Sequence, residues 1–412
     1  MYYNTLSIVA YISFYAWEQR KLGEVANNFN YGLNAAATDF DGIHKYIRIT
    51  DIDDESHKLV ANNLTSPDVD YLSSDSYIVR KGDILFARTG ASVGKTYMYE
   101  EKDGLLYFAG FLIKASIRSN YDYKFIFQNT LTSKYDKFIK VTSQRSGQPG
   151  VNAQEYQEFE IMCPRIEEQV LIGDFFHTLD NTIALHKGQL DKLKLLKKSC
   201  LQQMFPQNGE KVPRIRFADF HGEWGQRKLG EVATFAKGKG YSKNNLIEYG
   251  YKIILYGKLY TNYETVIETI DTYVESDENA IRSHVGDVIV PASGETAEDI
   301  ARASVIPHNG IILGGDLNII ETNKDVLDPN FLALSLSYGI AHKELSKYAQ
   351  GKSVVHLHGA DLKRTTISFP NLDEQKQIGN FFKQLDITIT LYHKKLNELT
   401  AIKKVCLEKF FI

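Results

Sequence analysis

Trp17-Glu-Gln-Arg-Lys-Leu-Gly-Glu-Val-Ala26 returns as Trp224-Gly-Gln-Arg-Lys-Leu-Gly-Glu-Val-Ala233, with nine of ten positions identical at an offset of 207. A chain that repeats itself in this way is built from copies of one unit, so the period decides the fold before any local propensity does. Lys81-Gly-Asp-Ile-Leu-Phe-Ala-Arg-Thr-Gly90 is answered by Val285-Gly-Asp-Val-Ile-Val-Pro-Ala-Ser-Gly294 at an offset of 204. Gln144-Arg-Ser-Gly-Gln-Pro-Gly-Val151 then lines up with Tyr348-Ala-Gln-Gly-Lys-Ser-Val-Val355, and both run on toward a proline, Pro164 or Pro370. From those prolines the offset is 206, and 19 of 42 positions are identical as far as Phe205 and Phe411. Each half is therefore a globular part of about 145 residues followed by a segment of about 42.

The closing segments have their own period. Phe176, Leu179, Ile183, His186, Leu190, Leu193, Cys200 and Met204 step by three and four, as do Phe382, Leu385, Ile389, Tyr392, Leu396, Leu399, Cys406 and Phe410. That is an a/d seam over about four heptads, which predicts one long helix per half. Lys197 and Lys403 stand at an a-type slot of each, where a charge lowers stability but fixes register or orientation. The 28 rises from Phe176 to Met204 span about 42 Å. Two such stripes in one chain most simply pack on each other, and an antiparallel pairing would set the globular parts at opposite ends. Residues 206–213, with Asn208-Gly209, read as a linker. Strands are expected at Tyr77-Ile-Val-Arg80, Asp83-Ile-Leu-Phe-Ala87, Leu105-Leu-Tyr-Phe-Ala109, Asp287-Val-Ile-Val290 and Gly310-Ile-Ile-Leu313, and helices over 123–137 and 330–347. The globular parts are thus α+β with a mixed or antiparallel sheet.

At 412 residues the chain amounts to about 2.7 domains. Its net charge of −3 excludes a global positive field, so any binding to a polyanion must come from local patches. No apolar run reaches the ~20 residues of a membrane span. The apolar stretch 6–17 has no basic residue before it, which argues against a signal peptide, and the expected location is the cytoplasm. Cys163, Cys200 and Cys406 are too scattered for a zinc site or a disulfide framework and read as buried thiols.

Several motifs resemble chemistry without completing it. Gly90-Ala-Ser-Val-Gly-Lys-Thr96 approaches a phosphate-binding loop, but Thr89 stands where the first glycine belongs and Tyr97-Met-Tyr-Glu100 reads as strand, not helix. Asp68, Glu100 and Lys102 have the residue types of a metal-dependent nuclease, yet the set is absent from the second half. Asp328-Pro-Asn-Phe331 lacks the second proline of an amino-methyltransferase pocket. His356 and His358 have no carboxylate or cysteine at ligand spacing. A binding role is the leading class.

Charge is concentrated locally. Residues 227–243 hold Arg227, Lys228, Lys237, Lys239 and Lys243 against Glu231 alone, in a glycine-rich stretch. Lys137, Lys140 and Arg145 face no acid between 137 and 148, and 343–364 holds five bases against Glu344 and Asp361. Residues 264–278 carry six acids and no base, which suits a surface turned away from a polyanion. Basic loops recurring in two like domains, flanked by Ser, Gln and Asn that bond phosphates and base edges, point to duplex DNA. A separation of ~42 Å is a little over one ~34 Å helical turn, so each domain could enter its own major groove. The candidate contacts are Arg88, Thr89, Ser92, Lys95, Arg145, Ser146 and Gln148 in the first half. In the second they are Lys237, Lys239, Ser242, Lys243, Ser293, Lys352, Ser353 and His356.

With the Trp224-Gly-Gln-Arg-Lys-Leu-Gly-Glu-Val stretch after Pro213-Arg-Ile-Arg-Phe217, Lys81-Gly-Asp-Ile-Leu-Phe-Ala-Arg-Thr-Gly-Ala-Ser-Val-Gly-Lys95, and Pro-x-x-x-Glu-Gln before each long helix, the chain resembles the specificity (S) subunit of type I restriction-modification systems. The resemblance implies two target recognition domains, 1–163 and 224–369, with conserved spacer helices 164–206 and 370–412 forming an antiparallel coiled coil, and a linker over 207–223. It implies docking of two methyltransferase (M) subunits and of restriction (R) subunits. These would bring S-adenosylmethionine, ATP, Mg²⁺ and the catalytic residues, leaving this chain non-catalytic and without a cofactor. Gly82, Asp83, Gly286 and Asp287 match a shared turn. One departure stands out: Val212-Pro-Arg-Ile-Arg-Phe-Ala-Asp-Phe-His-Gly-Glu-Trp224 has no counterpart before Trp17, so residues 1–16 are expected to be an atypical start, truncated, rearranged or misassigned. Two other readings compete, a nuclease using Asp68, Glu100 and Lys102 and a coiled-coil scaffold with no DNA role.

Overall fold

The computed structural model describes residues 16–145, 147–207, 209–261, 263–276, 278–349 and 354–411. The chain divides into two compact units, Met1–Gly188 with Lys394–Ile412, and Gln189–His393.

The first unit is built on a four-stranded antiparallel sheet of β1 (Ala26–Tyr31), β2 (Asp83–Ala87), β3 (Thr96–Met98) and β4 (Leu112–Ile117), in the order β1-β4-β2-β3. The run Asp83-Ile-Leu-Phe-Ala87 is apolar without alternation because β2 is buried along its whole length. Tyr77–Arg80, expected as a strand, is instead a 3-10 turn over Asp75–Tyr77 followed by a single bridge from Ile78 to Tyr107. The carbonyls of Ser76 and Ile78 are taken not by a ladder but by the buried ammonium of Lys114, at 3.0 and 2.8 Å. The expected helix over 123–137 is two helices, α1 (Tyr123–Asn129) and α2 (Ser133–Thr142). Between them the Thr130 and Thr132 hydroxyls bond the Phe127 and Asn129 carbonyls and so compete with the helix ladder. α3 (Ile166–Gln203) is the long helix read from the heptads, starting two residues after Pro164.

The second unit repeats the frame. β5 (Ala233–Lys237), β6 (Asp287–Pro291), β7 (Ser304–Ile306) and β8 (Leu317–Thr322) pair as β5-β8-β6-β7, again antiparallel. Of the expected strand 310–313 only Ile312–Leu313 joins a ladder, running parallel to Ile253 and Ile254. The expected helix over 330–347 is α4 (Pro329–Tyr338) and α5 (Ile340–Tyr348), broken at Gly339. α6 (Leu372–Phe410) is the second long helix.

The repeated opening motif closes each globular part on itself. Glu18–Lys21 pairs antiparallel with Glu160–Cys163, and Gly225–Lys228 with Thr366–Phe369. The buried Leu22 and Leu229 extend the clasp by donating their amides to Phe159 and Thr365. A chain entering beside its own exit strand passes directly into the long helix, where the glutamine of Pro-x-x-x-Glu-Gln fixes the junction. Gln169 Oε1 accepts from the Asp122 amide at 3.1 Å while its Nε2 donates to the Pro164 carbonyl at 2.8 Å. Gln375 does the same with Asp328 (2.9 Å) and Pro370 (2.9 Å), and also donates to Val326. Asp122 and Asp328 in turn cap α1 and α4, accepting from Phe125 and Phe331, although burial pushes both carboxyls up.

The helix ends complete both cores. In the first unit Cys406, Leu407, Phe410 and Phe411 pack on the core that holds Ile172 and Phe176. In the second, Cys200, Leu201, Met204 and Phe205 join Ile378 and Phe382. Lys403 bonds Asp180 at 2.7 Å in the first unit, and Lys197 pairs with Asp386 in the second. The thiols of Cys163 and Cys200 are buried, and burial pushes the former up to about 12.

Replacing Gln375 by alanine strands one buried amide and two carbonyls, and is expected to destabilise the second unit by about 1–3 kcal/mol. The check is a lowered urea midpoint; an unchanged midpoint would show that water supplies the missing bonds.

Candidate nucleic-acid interface

Beyond β2 the chain continues extended through Arg88, Thr89 and Gly90, held on both sides by main chain. The Arg88 amide donates to Phe111 in the turn before β4 at 3.0 Å, and the Arg88 carbonyl accepts from Val151 at 2.9 Å. Thr89 bridges Gly150, and Gly90 donates to Pro149. The second unit forms the same bonds: Ala292 donates to Asp316 at 2.7 Å and accepts from Leu357 at 3.0 Å, while Ser293–Gly294 pairs with Val355–His356. Residues read as candidates from separate stretches thereby converge. Arg88, Thr89 and Gln148 meet in the first unit, and Ser293 and His356 in the second, where the hydroxyl lies 3.2 Å from Nδ1.

The other candidates divide by what they touch. Lys95 is turned inward, paired with Asp54 and donating to the Ile52 carbonyl at 3.0 Å. Ser92 lies half-buried on the adjoining turn. Arg145 is exposed, but its guanidinium bonds the Thr142 and Gln144 carbonyls and pairs with Glu155. Lys237, Lys239 and Lys243 are exposed and form no ion pair among the described residues. Ser242 caps the 3-10 turn Lys243–Asn245, its hydroxyl donating to Asn245. Ser146, Lys352 and Ser353 lie outside the described residues.

Sequence reasoning missed three residues on this frame. The Arg88 guanidinium stacks 4.9 Å over the ring of Tyr31, at the end of β1, and Phe111 is 63% exposed at the turn tip. In the second unit the turn tip carries the exposed Asp316, with φ +60°. The equivalence of 31, 88 and 111 with 237, 292 and 316 comes from strand pairing and turn bonds, since the sequence registers of 207 and 204 would set 31 and 111 against 238 and 315.

A close crossing holds this frame together. A Cβ on Gly32 would lie 2.2 Å from the Ala109 carbonyl oxygen, and one on Gly238 1.9 Å from that of Gly314. Only glycine lets the strand leaving β1 or β5 pass so near the turn.

The rejected motifs have structural partners of their own. Glu100 is held by Lys58 at 3.2 Å and by Lys102, while Asp68 is exposed. Among the described residues no group of three His, Cys, Asp or Glu could hold a metal ion, and no helix is long and apolar enough to cross a membrane. Thr96–Met98 is the expected strand after the Gly-Lys-Thr run.

A family model described as the type I restriction modification DNA specificity domain matches residues 16–195 and again 221–401. The type I restriction enzyme MjaVIII specificity subunit of Methanocaldococcus jannaschii is 22% identical over 344 residues, covering 81% of this chain and 79% of that one. The crystal structure of a type I restriction-modification system S subunit from M. genitalium has the same fold. Its TM-score is 0.65 at 14% identity, over 97% of this chain and 98% of that one.

Gly238→Ala is expected to destabilise the second unit by about 1–3 kcal/mol through overpacking. Gly147→Ala, where a Cβ meets nothing within 4 Å, is expected to be neutral. Denaturant titration compares the two, and equal effects would mean that the crossing is not tight.

Proposed function

The chain belongs to the type I restriction modification DNA specificity family, and from that premise we propose that it is the sequence-reading subunit of a type I restriction-modification complex. The observation that carries this reading is the double family match, on two units that share the main-chain bonds of Arg88 and Ala292 while their tips differ in chemistry. Two unlike readers imply a bipartite, asymmetric target with an unread gap.

In this reading 1–163 and 224–369 are target recognition domains, 164–206 and 370–412 are spacer helices, and 207–223 is a linker. The long helices pair antiparallel as a coiled coil, whose ~42 Å seam holds the readers a little over one DNA turn apart. Two methyltransferase subunits and the restriction subunits dock on this chain in the cytoplasm. They supply S-adenosylmethionine, ATP, Mg²⁺ and the bond-making chemistry, while this subunit supplies the address. Arg88, Thr89, Ser92 and Gln148, with Lys237, Lys239, Ser242, Lys243, Ser293 and His356, contact DNA; Arg145 is counted with them, Ser146, Lys352 and Ser353 are counted from the sequence alone, and Lys95 is set aside for its inward bonds to Asp54 and Ile52. The exposed lysines hold phosphates, fixing the reader on the duplex without naming bases.

The test is single-molecule sequencing of genomic DNA from cells with and without this gene, expressed beside its cognate methyltransferase. A gene-dependent modified motif of two short words and a fixed gap is expected. If no motif appears while the methyltransferase is present and folded, the reading fails, and the scaffold alternative takes its place. At residue level, Lys239→Ala is expected to weaken binding to all duplexes and to reduce the slope of log K against log salt by about one. An unchanged slope would remove Lys239 from the phosphate contacts.

A further inference from the structure

The two units differ most informatively where their backbones agree. Tyr31 and Lys237 end equivalent edge strands, pairing with Ile113 and Asn318. Arg88 and Ala292 follow equivalent central strands, and Phe111 and Asp316 form equivalent turns, each turn carbonyl accepting from the Arg88 or Ala292 amide. One frame thus presents Tyr, Arg and Phe in the first unit and Lys, Ala and Asp in the second.

We propose that the positions 31/237, 88/292 and 111/316 are where each unit chooses its bases, and that Phe111 with Arg88, and Asp316, are the selecting side chains. The proposal rests on the DNA-reading function above and adds which residues define each word. A fixed backbone with exchanged tips is what a reader needs, since the docking is kept and only the edge chemistry changes.

In the first unit, Arg88 is oriented by the Tyr31 face and by a long contact of 3.4 Å to the Gly110 carbonyl, so the guanidinium is a positioned fork and not a loose cation. A forked double donor matches guanine O6 and N7. Beside it, Phe111 holds a largely exposed aromatic ring at a turn fixed by main-chain bonds from Arg88 to Phe111, Gly110 to Leu33 and Leu112 to Ala109. An apolar tip next to an arginine fork suits the thymine methyl in the major groove.

In the second unit, the Asp316 turn lies against the basic loop, with Gly315 donating to Gly240 at 2.6 Å and Lys239 donating to Leu313 at 3.1 Å. The carboxylate is exposed and forms no ion pair among the described residues. An acid on a surface built for phosphates is repulsive wherever it lacks a donor. The major-groove donor it fits is the N4 amine of cytosine. The same repulsion penalises bases that present an acceptor there, so one carboxylate both accepts the right base and rejects wrong ones.

The experiment uses the full complex with its methyltransferase and competes the mapped target against duplexes changed one base pair at a time. Asp316→Asn keeps the turn, because asparagine tolerates positive φ, and Phe111→Ala removes an exposed ring and leaves no cavity. Asp316→Asn is expected to lower discrimination by about fivefold or more at one base pair, a cytosine, of one word only. Phe111→Ala is expected to do so at a thymine of the other word. Variants that keep every single-base preference, or that weaken all duplexes equally, overturn the assignment. A wild-type complex that prefers no word overturns the function itself. Asp316→Gly, which also suits the backbone, gives the same readout if the asparagine variant folds poorly.

Discussion

Two buried glutamine amides set the geometry on which everything else is built. Gln169 and Gln375 are 2% and 0% exposed, and each satisfies an acceptor and a donor of the main chain at once. A primary amide can do this and an ionised carboxylate cannot, since the latter only accepts. The bonds tie the first turn of a long helix both to the proline that precedes it and to the capped start of α1 or α4. Each helix therefore leaves its globular part in one fixed direction. Shape complementarity alone would allow the helix to roll or slide by fractions of a turn; a buried polar pair does not, because any displacement leaves groups unsatisfied in a dry interior.

How much of this was legible in the sequence follows from which interactions repeat. The clasp, the glutamine junction and the long helices rest on residues copied nearly unchanged, so the registers of 207 and 206 marked where they lie and predicted the helices, but not the strand pairing of the clasp or the bonds of the glutamines. The strand order was not legible, because β4 slots between β1 and β2 through long-range pairing that no local pattern records. Tyr77–Arg80 has strand residues, but the Ile78 carbonyl and that of the preceding Ser76 serve Lys114, contacts across 36 and 38 residues. At the candidate interface, charge led the reading and geometry revised it. Lys95 has the composition of a phosphate contact and the position of a structural one, whereas Phe111, an apolar residue that composition does not single out, stands in solvent. An aromatic residue at a turn tip can be told from a core residue only when the backbone bonds around it are known.

The two units also solve the electrostatic problem differently. In a chain of net charge −3, attraction to a polyanion has to be local. The second unit leaves Lys237, Lys239 and Lys243 without an ion pair among the described residues, although the end of its acidic stretch lies beside their loop, with Tyr241 donating to the Ser276 carbonyl at 2.8 Å and Leu246 pairing with Val274; farther along, Glu268 is held by Lys383 and Glu264 lies near Lys258. The first unit holds Lys95 and Arg145 in ion pairs and presents a stacked arginine and exposed rings instead. Free lysines give affinity that salt removes; stacked and apolar contacts depend less on salt and more on the base that meets them.

The reciprocal pairs Lys403–Asp180 and Lys197–Asp386 show the same economy of design in the helices. Each lysine sits in an otherwise apolar seam and meets an aspartate from the opposite helix, and the two pairs are related by the 206-residue register. A largely buried ion pair adds little net stability over a well-packed apolar pair, since desolvation offsets the attraction. Its effect is on the alternatives. Sliding either helix by a heptad would set a lysine ammonium against leucine and leave an aspartate unpaired, a cost of several kcal/mol that an all-leucine seam would not impose. Within each unit the seam is thereby held to one register, and the place at which each long helix ends is as well defined as the place at which it begins.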